Sequence, residues 1–111
     1  MILEYFNSVE KNALDFANRQ NSDQLGKKIG INGRDDFNNY SNLNIVIFSI
    51  SDYRPDQSIQ KTFNADKDFR IKLYSLYVGN WNNEIFDLGN LVNGNKLSDT
   101  NYALERIIES F

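Results

Sequence analysis

Asp52, Arg54 and Asp56 stand at alternate positions just after an uncharged apolar run, Ile45-Val46-Ile47-Phe48. If that run is a parallel strand, the three lie beyond its carboxyl end, where open α/β sheets place their ligand sites. Two carboxylates flanking a guanidinium there suit a polar substrate at the rim of a cleft. The same residues also suit a plainer role, a solvated charged loop or an Asp–Arg pair that fixes the loop. A second group, Asp87 and Asn90, closes the stretch Glu84-Ile85-Phe86-Asp87-Leu88-Gly89. As metal ligands these two are too few, because a hard cation takes about six oxygens. The structural reading has Asp87 accepting backbone hydrogen bonds. Trp81, between Asn80 and Asn82, either offers an exposed aromatic surface or packs over a helix end after Gly79.

The missing residue types narrow the chemistry further. No histidine and no cysteine occurs among the 111 residues. Ser-His and Cys-His nucleophile systems are therefore excluded, and zinc and iron lose their usual ligands. Catalysis would rest on carboxylates, Lys, Arg or Tyr, and no arrangement of these makes a complete centre. A cysteine-free chain suits a reducing compartment, and Met1-Ile2-Leu3-Glu4-Tyr5 lacks the basic start and apolar stretch of a signal peptide. The expected location is cytoplasmic. With a net charge of −3 and only scattered lysines (Lys27-Lys28, Lys61), nucleic acid is not an expected partner. No run of about 18 apolar residues provides a membrane span.

The positioning elements divide at about residue 42. Residues 1–42 are expected to form an N-terminal arm that packs on a core rather than making one. In it, Ser8 is placed to cap a short helix carrying Val9, Ala13, Phe16 and Ala17 on one face. Leu25–Ile31 reads as a short extended piece, Asn32-Gly33 as a turn, and Arg34–Asn42 as a polar surface connection.

Residues 43–111 read as β-α-β-α. Ile45–Phe48 has the composition of a strand buried on both faces of a parallel sheet. After a loop from Ser51 to Phe63, Asn64 caps a helix with Asp66 and Asp68 in its first turn. Phe69, Leu73, Leu76 and Tyr77 are its expected inward stripe, and Gly79 its stop. Glu84–Gly89 is the second strand. Ser98 or Asp99 caps a last helix whose apolar face is Leu104, Ile107, Ile108 and Phe111. Two parallel strands make a poor sheet by themselves. The sequence also stops inside an apolar face, so the unit is expected to be cut from something larger, or to pair an open strand edge with a partner or a second copy.

Four stretches carry a family resemblance. They are Asn44-Ile45-Val46-Ile47 with the Asp52 and Arg54 loop, Arg70-Ile71-Lys72-Leu73-Tyr74-Ser75-Leu76-Tyr77 with Gly79-Asn80-Trp81, Ile85-Phe86-Asp87-Leu88-Gly89-Asn90, and Leu97-Ser98-Asp99-Thr100-Asn101-Tyr102-Ala103-Leu104. In order and spacing they resemble the N-terminal part of the ureohydrolase superfamily: the arginases, agmatinases and formimidoylglutamases. The resemblance covers about 69 residues. It implies part of a three-layer α/β/α fold, with the remainder of a parent chain as partner. It also implies that the parent is a hydrolase in which two manganese ions bridge a hydroxide that attacks a guanidinium or formimino carbon. The family's ligand motifs (GGxHS, DAHxD and DxDxxDP) are absent from the 111 residues, so no metal site is expected in this chain. The loop Ser51–Phe63 lacks the glycines and the Gly-Pro usual in relatives, and so lacks positions that permit positive φ. The alternative is a stand-alone interaction module without catalysis, working through its open sheet edge.

Overall fold

The structure, a computed structural model, describes residues 2–35, 43–51, 65–80 and 82–111. A 3-10 turn, Ile2–Tyr5, leads into strand β1 (Phe6–Asn7) and helix α1 (Lys11–Asn18). A single helical turn α2 (Leu25–Lys28) and strand β2 (Gly30–Ile31) follow. The second part holds β3 (Ile45–Ile50), α3 (Ala65–Tyr74), β4 (Ile85–Leu91) and α4 (Leu97–Glu109). The result is a mixed α/β fold with a four-stranded sheet and four helices among the described residues.

Among the described residues every ladder of the sheet uses β4. Parallel β3 pairs along one of its edges, from Ile45 opposite Ile85 to Ile50 opposite Leu91. The other edge is shared end to end. Parallel β2 takes the first half (Gly30 opposite Phe86, Ile31 opposite Asp87), and antiparallel β1 the second (Phe6 opposite Leu91, Asn7 opposite Asn90). Asn32 bridges the gap between them: its N–H reaches the Asp87 carbonyl at 2.9 Å, and its side-chain amide the Leu88 carbonyl at 2.8 Å. The expected turn follows at Gly33, where φ is +107°.

The two faces of the sheet bury separate cores. On one, Val9, Ala13 and Ala17 of the α1 region meet Leu25, Ile29, Ile31, Tyr74 and Ile85, with Ile47 against them. On the other, Ile107 of α4 packs with Phe6, Phe86, Leu88 and Leu91, and with Val46 and Phe48 of β3. Residues 2–35 thus contribute two strands and much of the first core, which is more than an arm laid on a finished core. The reason is local. Burying Val9, Ala13 and Ala17 at helical spacing needs a facing apolar surface, and α2 and α3 provide it.

Several local expectations are corrected. Helix α1 starts after Glu10, so Ser8 lies outside it and caps nothing. Leu25–Lys28 is helical, and the extended backbone begins at Ile29, with the strand confined to Gly30–Ile31. The strand buried on both faces is β4; β3 has its ends exposed, with Ile45 at 36% and Ile50 at 46%. An uncharged run therefore sits at the margin of the sheet, among the described residues. Of the stripe expected on α3, Leu73 packs inward, partly buried against the first core, and the other three do not. Phe69, Leu76 and Tyr77 are exposed, while Arg70 and Tyr74 are buried. In α4, Ile107 and Thr100 are buried and Leu104 packs against the second core, but Ile108 is exposed, as is Phe111 beyond the helix end. Its first turn is closed by Asp99, whose carboxylate accepts the Lys96 N–H at 3.2 Å, with Lys96 as N-cap. Asn64 lies outside the described residues.

Candidate functional site

The polar centre of the molecule lies between α3 and the carboxyl-terminal halves of β3 and β4, and a bulge builds it. Between Ile47/Asp87 and Ser49/Asn90, β3 advances two residues while β4 advances three. Side chains alternate faces along a regular strand, so Asp87 and Asn90 would point to opposite sides. The extra residue restores both to the α3 side. Gly89 makes the bulge possible: its φ is +95°, and a Cβ there would lie 2.1 Å from the Asn7 carbonyl oxygen. Only glycine fits.

On α3, Asp66, Arg70 and Tyr74 stand four residues apart and so share one face. Arg70 is 3% exposed and Asp87 fully buried. The guanidinium meets the carboxylate through two nitrogens, Nε to Oδ2 at 2.8 Å and Nη2 to Oδ1 at 3.0 Å. It also donates to the Gly89 carbonyl at 2.9 Å and to Asn90 Oδ1 at 2.7 Å. The Tyr74 hydroxyl donates to Asp87 Oδ2 at 2.5 Å, and the Gly89 N–H to Oδ1 at 3.0 Å. Asp87 thus accepts four hydrogen bonds, about the capacity of a carboxylate. Ser49 donates to Asn90 Oδ1, and Ser51 to Asp66.

This chemistry is that of a lock. Burial would pull the Arg70 guanidinium down, but the Asp87 hydrogen bond and charge outweigh it and hold the group above its ordinary value. Burial pushes the Tyr74 phenol up, and the Asp87 charge pushes it further. Both groups keep their protons, so neither is a base near neutral pH. Asp87 has no lone pair free for a metal, and among the described residues no three His, Cys, Asp or Glu side chains converge on a metal position. A pair of manganese ions does not fit the residues described.

Two expected results follow for Tyr74. Tyr74→Phe removes a hydrogen bond to a buried charge and costs about 1.5–3 kcal/mol, read from urea unfolding. The gap between wild type and variant then shrinks above pH 10. Unfolded tyrosine ionises near pH 10 whereas folded Tyr74 keeps its proton, so the wild type loses about 1.4 kcal/mol per pH unit there. A gap that stays constant up to pH 11 would contradict the buried phenol.

Of the residues expected at the site, Asp52, Arg54 and Asp56 lie outside the described residues, as do Trp81 and Lys61. Asp87 and Asn90 are brought together, and Arg70, Tyr74, Ser49, Ser51 and Asp66 join them. The sequence signal for them is the i, i+4, i+8 line of polar residues at 66, 70 and 74, which runs beside a more apolar stripe.

An open depression of about 580 Å³ with clustered charge is lined by Asn18, Lys27, Lys28, Gly30 and Arg34 among others. Its cations are engaged with carbonyls: Lys27 with Asn18 (2.9 Å), Lys28 with Gly79 (2.8 Å), and Arg34 with Gly26 (2.8 Å) and Ile29 (2.6 Å). Lys27 and Arg34 cover the carboxyl ends of α1 and α2, where cations are favoured, and Lys28 closes on the turn after α3. No helix among the described residues is long and apolar enough to cross a membrane. Comparison with protein-family models, with curated proteins and with solved structures gave no match to this chain.

Proposed function

We propose that residues 43–111 are the opening βαβα part of an arginase-like protein, and that in this chain they act as scaffold rather than catalyst. One observation carries the reading. Two of the four stretches that resemble ureohydrolases meet in space: Arg70 and Tyr74 of one bind Asp87, Gly89 and Asn90 of the other. The similarity in sequence therefore falls on residues that do one physical job together, joining the crossover helix to the second parallel strand. The parent is, on this reading, a cytoplasmic manganese-dependent hydrolase of guanidino or formimino C–N bonds. Its metal ligands come from residues other than those described, and Asp52, Arg54 and Asp56 stay candidates for the rim of its cleft.

With manganese and arginine, agmatine or formimidoylglutamate, the 111-residue chain is expected to show no turnover. A protein extended through the codons that follow is expected to show manganese-dependent release of urea or formamide. Turnover by the short chain, or a downstream sequence without a Gly-Gly-x-His segment, would sink the proposal.

A second reading, the stand-alone interaction module, is favoured by the uncharged outer strand Ile45–Ile50. It needs the reading frame to stop at Phe111 and the edge of β3 to be filled by another molecule. Light scattering across a concentration series separates a self-associating module from a monomeric scaffold.

A further inference from the structure

We propose that Asn93 is a site of spontaneous covalent modification, deamidation to isoaspartate, and that this change loosens the start of α4. The sequence holds two Asn-Gly steps, Asn32-Gly33 and Asn93-Gly94. Glycine in the second position favours the reaction, because no Cβ obstructs its nitrogen and its backbone turns freely. At Asn93 the Gly94 nitrogen attacks the carbonyl carbon of the side-chain amide. A C–N bond forms, the side-chain nitrogen leaves with the displaced proton as ammonia, and a five-membered imide closes. Water then opens the imide at one of its two carbonyls. Opening on the side-chain carbonyl gives aspartate. Opening on the other gives isoaspartate, in which the main chain runs through the former side chain.

The fold separates the two steps. Asn32 is half-buried and gripped from three segments. Its N–H donates to the Asp87 carbonyl at 2.9 Å, its side-chain amide to the Leu88 carbonyl at 2.8 Å, and its own carbonyl accepts the Val9 N–H at 3.0 Å. Swinging that amide round to the Gly33 nitrogen breaks the bond to β4, and closing the ring turns the peptide that Val9 holds. Asn93 is exposed, two residues beyond the end of β4. The bond that must open there runs from the Gly94 N–H to the Thr100 hydroxyl, 2.8 Å. Its product does not fit where the asparagine did. A Cβ on Gly94 would lie 2.4 Å from the Asp99 Cβ and 2.9 Å from the Thr100 nitrogen, so this turn sits hard against the first turn of α4. Isoaspartate puts one more carbon into the main chain immediately before Gly94, and the turn must move off the helix. Aspartate keeps the length of the chain and the turn in place. The change is paced by time rather than by a ligand, and it marks old copies of the chain.

Timed peptide mapping by mass spectrometry tests the contrast. The folded chain and the chain in urea are held at mildly alkaline pH, and conversion of each asparagine is followed. In the folded chain Asn93 is expected to convert within about tenfold of its rate in urea, and Asn32 on the order of 100-fold or more below its own. Asn93→Gln, a change at an exposed position, removes the early acidic species. The isoaspartate and aspartate forms are then separated by chromatography and compared by amide exchange. The Gly94, Asp99 and Thr100 amides are expected to exchange on the order of tenfold faster in the isoaspartate form, and as in unmodified protein in the aspartate form. Three results overturn the inference: Asn32 converting in the folded chain as fast as Asn93, Asn93 protected to the level of Asn32, or an isoaspartate form whose first turn of α4 exchanges no faster than that of the aspartate form.

Discussion

Asp87→Ala is expected to lower the stability of the fold by about 3–5 kcal/mol, the usual cost of removing one partner from a buried ion pair. That is a large share of the roughly 5–15 kcal/mol available to a domain. The loss has little to do with the strength of the pair as such. Once the carboxylate is gone, the Arg70 guanidinium remains at 3% exposure with its charge uncompensated, and the Tyr74 hydroxyl and Gly89 N–H lose their acceptor. Removing the charges together is a different matter. The triple variant Arg70→Met, Tyr74→Phe, Asp87→Leu leaves no buried charge and is expected to recover at least half of the loss. Urea unfolding of wild type, single and triple variants makes the comparison. A single variant within about 1 kcal/mol of wild type would mean that water reaches the cluster.

The second large effect belongs to Gly89. An alanine there must hold φ near +95° and place its Cβ against the Asn7 carbonyl. The backbone penalty alone is about 1–3 kcal/mol. The collision adds to it, because β1 must move away and its two-residue ladder to β4 is lost. A total near 4 kcal/mol corresponds to a fall in melting temperature on the order of 15–20 °C at this size. Gly79 is the control. It also has positive φ (+55°), but nothing lies within 4 Å of a Cβ built on it. Gly79→Ala should cost only about 1–2 kcal/mol, the price of the left-handed conformation by itself. Equal effects at the two positions would argue against the close approach of β1.

The elements that could be read from the sequence are those in which pattern and burial agree. Ile45–Ile50, Ile85–Leu91, the helix beginning near Asp66 and the last helix all stand close to where periodicity places them. The errors share a cause. Phe69, Leu73, Leu76 and Tyr77 make a better apolar stripe than Arg70 and Tyr74, and a rule based on transfer to oil centres the buried face of α3 on that stripe, of which Leu73 alone packs inward. Arg70 goes inward because Asp87 waits there, and that partner is 17 positions away. Asp87 and Asn90 both close the second strand in sequence, but regular alternation separates them. Only the bulge at Gly89 puts them together, and a glycine within a short strand does not announce a bulge rather than a strand end. Similarly, β1 and β2 are two residues each. Nothing so short has a period. They exist because β4 presents an edge, a fact of tertiary structure.

The dependence of every ladder on β4 also has a consequence in time. During synthesis Phe6, Gly30 and Ile45 leave the ribosome well before Ile85, and each must wait for the same strand. At about 5–20 residues per second, β3 is exposed for several seconds with its uncharged edges unpaired. Helices α1 and α2 are too short to hold by themselves and pack on α3, so they too wait for the second part of the chain, and the described sheet cannot begin in part. It closes in one late, cooperative event, and factors that bind nascent apolar segments have their longest opportunity at Ile45–Ile50.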